Sequence, residues 1–269
     1  MNEKLYVLGT GNAQATECYN TCFAIRKDEE YLLVDAGGGN GIMKILADHG
    51  IAWKAIHHLI VTHEHTDHVL GVVWVVRMIA TAMLAGKYEG SLTIYAHEDL
   101  CEIIRTLCRL TLQKKHFACI GDRIVLRPVT DGETVPVLGY DVTFFDIRST
   151  KAKQYGFALT LANGSRLCCL GDEPYNPACR AYAEGADWLL CEAFCLYADR
   201  DRFKPYEKNH STVKDAAELA SDLGIRNLVL WHTEDSDMAH RKAKYEAEAR
   251  EYFLGNVQVP DDGEVIELN

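Results

Sequence analysis

The stretch Leu59-Ile60-Val61-Thr62-His63-Glu64-His65-Thr66-Asp67-His68, followed by the apolar run Val69 to Val76, decides how the rest of the chain is read. An apolar segment enters a polar turn, and the turn feeds a second apolar segment. That order predicts a strand, a ligand-bearing turn and a helix. In an extended segment side chains alternate between faces, so His63 and His65 project to the same side. Asp67 and His68 sit at the turn into the helix, where the chain can aim both at a second position nearby. Imidazole and carboxylate donors suit zinc, and also manganese or iron, whereas a thiolate-rich cluster would indicate structural zinc or an iron–sulfur centre. A lone histidine at a strand end is usually an ordinary polar residue. Three histidines and an aspartate in H-x-H-x-D-H spacing instead point to an open, hydrolytic metal site.

Working outward, 269 residues with 48% apolar content suffice for one continuous core. With no Pro/Ser-rich linker, low-complexity tract or repeat in view, a single domain over residues 1–269 is expected. The ten cysteines form no C-x-x-C pair, and the chain opens Met1-Asn2-Glu3-Lys4 directly into a strand. The expectation is therefore a reduced, cytoplasmic protein whose thiols are small core residues. A net charge of -11 argues against broad electrostatic attraction to nucleic acid, while leaving room for a local basic patch. The segment Val69 to Ala85 carries one charge, Arg77, but is shorter than the ~20 residues that span a bilayer. It predicts a buried helix and no membrane, covered on more than one side by the sheet and its neighbours or by a second subunit.

Strands are predicted at Lys4 to Leu8, Thr21 to Arg26, Tyr31 to Val34 and Leu92 to Tyr95. A block of strands follows at Arg123 to Arg127, Thr134 to Val137, Asp141 to Asp146, Phe157 to Leu161 and Arg166 to Leu170, the last ending at Gly171-Asp172. Helices at Ala178 to Glu184, Val213 to Leu223 and Met238 to Phe253 then alternate with strands at Trp188 to Cys191, Leu228 to Trp231 and Glu264 to Leu268. An α/β (α+β) fold follows, with two sheets face to face and helices on their outer faces. Thr212-Val213-Lys214-Asp215 reads as a T-x-x-D cap, which sets His210 just ahead of a helix N-terminus where a phosphate is also favoured.

With these motifs placed, the chain resembles a metallo-β-lactamase-fold hydrolase, and within that superfamily the ribonuclease Z group. The resemblance rests on Leu8-Gly9-Thr10-Gly11, Val34-Asp35-Ala36-Gly37, the H-x-H-x-D-H stretch, Gly171-Asp172, Cys191-Glu192-Ala193-Phe194, Asn209-His210-Ser211-Thr212 and Leu230-Trp231-His232-Thr233, in that order. It implies a four-layer αββα sandwich of two mixed β-sheets flanked by helices. It also implies up to two divalent ions, zinc foremost with Mn2+ or Fe2+ as alternatives, bridged by Asp172. One site would use His63 and His65, the other Asp67, His68 and His232. Asp67 would also touch the attacking water, while Glu192 orients His210 as general acid for the leaving oxygen. A homodimer is implied as well.

Two departures shape the expected substrate. Family members add a histidine to the first site from the region that here reads Arg148-Ser149-Thr150-Lys151-Ala152-Lys153-Gln154-Tyr155, and no histidine occurs between His116 and His210. The first site is thus depleted, or filled by positive charge from Lys151 or Lys153. The long projecting arm of transfer-RNA-processing members is also missing from the short interval between Thr150 and Asp172. The expected activity is hydrolysis of a phosphodiester by metal-activated water. The substrate is an RNA 3′ end or, equally, a small or cyclic phosphodiester. The competing readings are hydrolysis of another ester, thioester or lactam, and a non-catalytic metal-binding or sensor protein.

Overall fold

Strand alternation sorts the apolar side chains into three layers in the computed structural model, which describes residues 3–268. The first half of the chain supplies β1 (Lys4–Gly9), β2 (Cys22–Lys27), β3 (Glu30–Val34), α1 (Gly41–Asp48), β4 (Ile56–Ile60), α2 (Thr66–Leu84), β5 (Leu92–Ala96), α3 (Glu98–Thr111), α4 (Lys114–Phe117) and β6 (Ile124–Pro128). The second supplies β7 (Thr134–Val137), β8 (Tyr140–Asp146), β9 (Tyr155–Thr160), β10 (Arg166–Cys169), α5 (Arg180–Ala183), β11 (Trp188–Glu192), α6 (Arg200–Phe203), α7 (Val213–Asp222), β12 (Asn227–Trp231), α8 (Met238–Tyr252), β13 (Asn256–Gln258) and β14 (Val265–Glu267). The strands form two seven-stranded sheets, ordered β14-β1-β2-β3-β4-β5-β6 and β13-β12-β11-β10-β9-β8-β7. Each sheet is antiparallel on one side and parallel on the other, the parallel ladders running from β3 to β6 and from β10 to β13.

Phe23, Ile25, Leu32 and Val34 face the other sheet, where they meet Phe157, Leu190, Val229 and Trp231 in the central core. Their neighbours Ala24 and Leu33 turn outward beneath α1 to α4, and Leu189, Leu228 and Leu230 turn outward beneath α7 and α8. These alternations build the αββα sandwich, with both parallel ladders ending at one rim.

Three sequence expectations need correction. The long apolar helix starts at Thr66, not Val69, because extended His65 serves as its N-cap residue (φ -59°, ψ 149°); Asp67 and His68 therefore belong to its first turn. The helix expected from Ala178 to Glu184 is a 3₁₀ turn, Pro177–Cys179, running into the short α5. The elements α4, α6 and β13 were not anticipated, being too short to display a period. Helix α2 is long and apolar enough to cross a membrane, yet most of it is buried against the sheet and the neighbouring helices.

Candidate metal centre

Every candidate donor stands at the rim where the parallel strands end. Strand β3 delivers Asp35, β4 leads through Thr62 to His63, β10 leads to Asp172, β11 ends on Glu192 and β12 is followed by His232. Asp35 (φ 53°) and His232 (φ 57°) both adopt left-handed backbone immediately after their strands. Non-glycine residues held in that region cost about 1–3 kcal/mol and gather at functional sites. Gly71 brings α2 against the β3 end: its N–H donates to Gly37 O at 2.8 Å, and a Cβ there would lie 1.8 Å from Ala36 O. That close approach sets His68 against Asp35.

The donors fall into two groups that share Asp172. One contains Asp67, His68, Asp172 and His232, all buried; the other contains His63, His65 and Asp172. Asp172 Oδ2 lies 3.4 Å from His63 Nε2 and 3.5 Å from both His68 Nε2 and His232 Nε2. Asp67 Oδ2 is 3.4 Å from His68 Nε2, and His63 Nε2 is 2.9 Å from His65 Nδ1. Two donors each ~2.0–2.2 Å from one tetrahedral ion lie roughly 3.3–3.6 Å apart, so most of these spacings suit a shared cation.

The opposite ring nitrogens are occupied. Asp35 Oδ2 accepts from His68 Nδ1 at 2.8 Å, and His232 Nδ1 meets Thr21 Oγ1 at 3.1 Å. His63 Nδ1 meets Thr62 Oγ1 at 3.0 Å, and that hydroxyl donates to Asp35 Oδ2 at 2.7 Å. Partners of this kind fix the tautomer and aim of metal-binding imidazoles. His68 Nε2 is buried with no hydrogen-bond partner, although it faces two carboxylates. The donor set therefore fits a divalent ion on the evidence of an orphaned ring nitrogen.

The electrostatics point the same way. Burial penalises the charge on Asp172, yet His63, His68 and His232 hold its carboxyl well below the usual range. Asp67 likewise stays ionised against burial through His68 and His232. Burial outweighs the pull of Asp172 on His232 and pushes that imidazole down to about 3. On His68 burial loses to Asp35, Asp172 and Asp67, which raise the imidazole well above its ordinary value. The cluster thus draws positive charge toward His68.

Glu192 is fully buried, and burial raises its carboxyl. Its Oε1 accepts from Ser211 N at 2.6 Å and from the Ser211 hydroxyl, while Oε2 lies 3.6 Å from His210 Nδ1 without a hydrogen bond. His210 stacks on Phe194 with 4.9 Å between ring centroids and 6° between planes. Thr212 and Asp215 complete a capping box, so the first donors of α7 are satisfied from within. A cavity of about 420 Å³ opens beside the donors, lined by His65, Asp67, Lys151, Asp172, His210 and His232. Lys153 points elsewhere, with Nζ 3.7 Å from Asp99 Oδ2.

Three contributors escaped the sequence reading. Asp35 entered it only as part of a resembling motif, although its place at the end of a strand beside β4 was a usable signal. Gln154 entered it only within the stretch that lacks the family histidine, and Glu173 gave no signal. Gln154 is buried and donates through Nε2 to Asp172 Oδ1 at 2.6 Å. Glu173 accepts from Ser149 Oγ and Asn209 Nδ2, both at 2.8 Å, and so ties the Lys151 loop to the segment carrying His210.

A family model described as "Anti-Pycsar protein Apyc1" matches residues 3–252. The chain belongs to the Apyc1 family. Ribonuclease Z of Myxococcus xanthus is 25% identical to this Apyc1-family chain, the match covering 98% of the chain and 97% of that protein. Among solved structures, the metallo-β-lactamase fold protein YhfI from Bacillus subtilis superposes with a TM-score of 0.80 at 21% identity, covering 99% of this chain and 100% of that one. Human tRNase Z, short form, gives 0.74 at 22% identity, with 99% of each chain covered. The Apyc1-family chain therefore has the metallo-β-lactamase fold and stands in its ribonuclease Z-like group.

Proposed function

We propose that this metal-dependent hydrolase is a phosphodiesterase acting on a small or cyclic phosphodiester. The observation that carries the reading is the convergence of His63, His68 and His232 Nε2 on Asp172 Oδ2, beside a cavity of about 420 Å³ that also meets His210. A space of that size suits a ligand of nucleotide dimensions. The interval from Gln154 to Asp172 is taken up by β9, β10 and their connection, which leaves no arm to hold a folded RNA. RNA 3′ ends are the second reading, supported by the ribonuclease Z names among the relatives.

His68, His232, Asp67 and Asp172 would hold one ion, zinc foremost, and His63, His65 and Asp172 a second, weaker one. Bound there, divalent ions would lower the pKa of a water and would offset the charge developing on phosphorus. Asp67 accepts a hydrogen bond from the attacking water and orients it. Lys151 meets the phosphate oxygens from the cavity wall. Glu192 faces Nδ1 of His210, which leaves Nε2 to give its proton to the departing oxygen as the P–O bond breaks. A cytoplasmic location and a homodimer complete the proposal, the dimer alone being supported by Trp53, Trp74 and Met78, which remain half-exposed around an apolar groove on α1 and α2.

The test is a side-by-side assay of cyclic nucleotides, linear phosphodiesters, RNA with 3′ trailers, a lactam and a thioester, with metal-replete protein. Turnover of phosphodiesters alone is expected, with the small ones preferred. Cleavage of none of them, or preference for the lactam or thioester, would sink the reading. A monomer mass in solution scattering would remove the dimer.

A further inference from the structure

The two donor groups differ in number as well as kind: four residues converge on one position and three on the other. At the poorer one a neutral side chain is built into the wall. Gln154 is 1% exposed. Its Nε2 lies 2.6 Å from Asp172 Oδ1 and 3.1 Å from His63 Nδ1, so it touches both the shared carboxylate and a ligand of the weaker site.

The backbone that carries this amide is held from several sides. Ile147 N donates to Gln154 O and Tyr155 N donates to Thr62 O, each at 3.1 Å, and His97 Nε2 donates to Lys153 O at 2.9 Å. Gly171, at φ +85°, leaves it room: a Cβ at that position would lie 2.8 Å from Gln154 Nε2 and 3.0 Å from Cδ. A long, flexible side chain so confined has already lost its rotamer freedom on folding, and confinement of this kind marks a positioning role.

We propose that Gln154 is the positioning residue that makes the two cation sites unequal. By donating to Oδ1 it fixes the carboxylate of Asp172 so that only Oδ2 faces the imidazoles. That single oxygen must then serve both ions. The hydrogen bond disperses the charge of Asp172 for both positions, but the His68–His232 position has a second carboxylate in Asp67, whereas the amide beside His63 adds no charge, so the His63–His65 position attracts a divalent cation less. The inference rests on the two-cation reading above, but it concerns metal affinity and needs no substrate.

The experiment is a Zn2+ titration of the metal-free protein against a chromogenic chelator, repeated with Co2+ and read by its visible absorption. The wild-type protein is expected to bind one equivalent tightly and a second at least tenfold more weakly. Gln154→Glu, nearly the same shape, puts a second carboxylate against Asp172 and should tighten the second equivalent about tenfold. It should also enlarge the rise in melting temperature on adding metal. Gln154→Ala frees the Asp172 carboxylate and should shift the Co2+ spectrum while leaving the far-ultraviolet dichroism unchanged. Two wild-type equivalents of equal affinity would overturn the proposal, as would superimposable titrations for all three proteins. Unequal sites without phosphodiester cleavage would uphold it and sink only the phosphodiesterase reading, whereas no metal binding would sink both.

Discussion

Asp35 Oδ2 accepts a 2.8 Å hydrogen bond from His68 Nδ1, and so determines that Nε2 is the nitrogen turned toward Asp67 and Asp172. The same oxygen accepts from Thr62 Oγ1, the partner of His63 Nδ1. One carboxylate therefore stands behind imidazoles of both donor groups. Loss of such an outer partner typically costs about 10–100-fold in metal affinity or activity. Asp35→Asn should weaken metal binding by that amount in chelator competition, with the fold retained. Unchanged affinity would refute this assignment.

His210 touches the cavity but belongs to neither donor group. His210→Ala should lower kcat by about 10²–10⁴-fold, the usual worth of a positioned proton donor, without changing metal content. Elemental analysis alongside steady-state kinetics separates the two effects. Glu192→Gln should act in the same direction but less, because Oε1 can still accept from Ser211 while the charge facing His210 Nδ1 is gone. Metal loss in His210→Ala would contradict the role assigned to it.

Acid sensitivity should be traceable to His97, the N-cap of α3. Its Nδ1 accepts from Leu100 N at 3.2 Å and its Nε2 donates to Lys153 O, an arrangement that requires the neutral ring. Burial, then Lys153, lower this imidazole below its ordinary value against the pull of Glu64 and Asp99. A base with a depressed folded-state pKa binds fewer protons folded than unfolded, so its stability contribution is full above about pH 6.5 and lost as pH falls below it. His97→Asn keeps a side-chain acceptor at the cap and removes the titration. The urea midpoint should therefore fall less between pH 7.5 and 5.5 in His97→Asn than in wild type. Equal falls would exclude His97 as the sensor.

The thiols should be inert. Nine of the ten cysteines are buried, and Cys18 is half-buried; all are unpaired. Burial pushes Cys18 up to about 11 and Cys169 up to about 12, far from the thiolate form that reacts at neutral pH. Iodoacetamide at pH 7.5 should modify at most one cysteine in the native protein and all ten after unfolding, counted by mass spectrometry. Rapid native labelling of several would show that the core opens.

The layers of the fold were legible because unbroken apolar runs such as Phe23-Ala24-Ile25 and Leu32-Leu33-Val34 mark strands covered on both faces, a signal that survives without any partner in view. The donors were legible where they cluster in sequence, as from His63 to His68, or follow a recognisable strand, as do Asp172 and His232. Gln154 was not, because its role depends on its distance to Asp172 and His63 across the sheets, and a lone glutamine carries no period or motif. Glu173 was hidden likewise: its partners, Ser149 and Asn209, come from separate loops. The start of α2 was misread because Thr66, Asp67 and His68 are polar on a helix otherwise apolar all round.

The donors do not come from one sheet. His63, His65, Asp67 and His68 follow β4, whereas Asp172 and His232 follow β10 and β12 across the sandwich. An ion held among them is a clasp between the two halves of the molecule, available only when both have closed. Its occupancy then becomes mechanical: ligand at 100 times its Kd adds about 2.7 kcal/mol to the folded state. Chelation should therefore loosen the seam between the sheets first. In hydrogen exchange, the amides of Tyr155 and Thr233, which bond to Thr62 O and Thr10 O across that seam, should lose protection before those of β1 and β2.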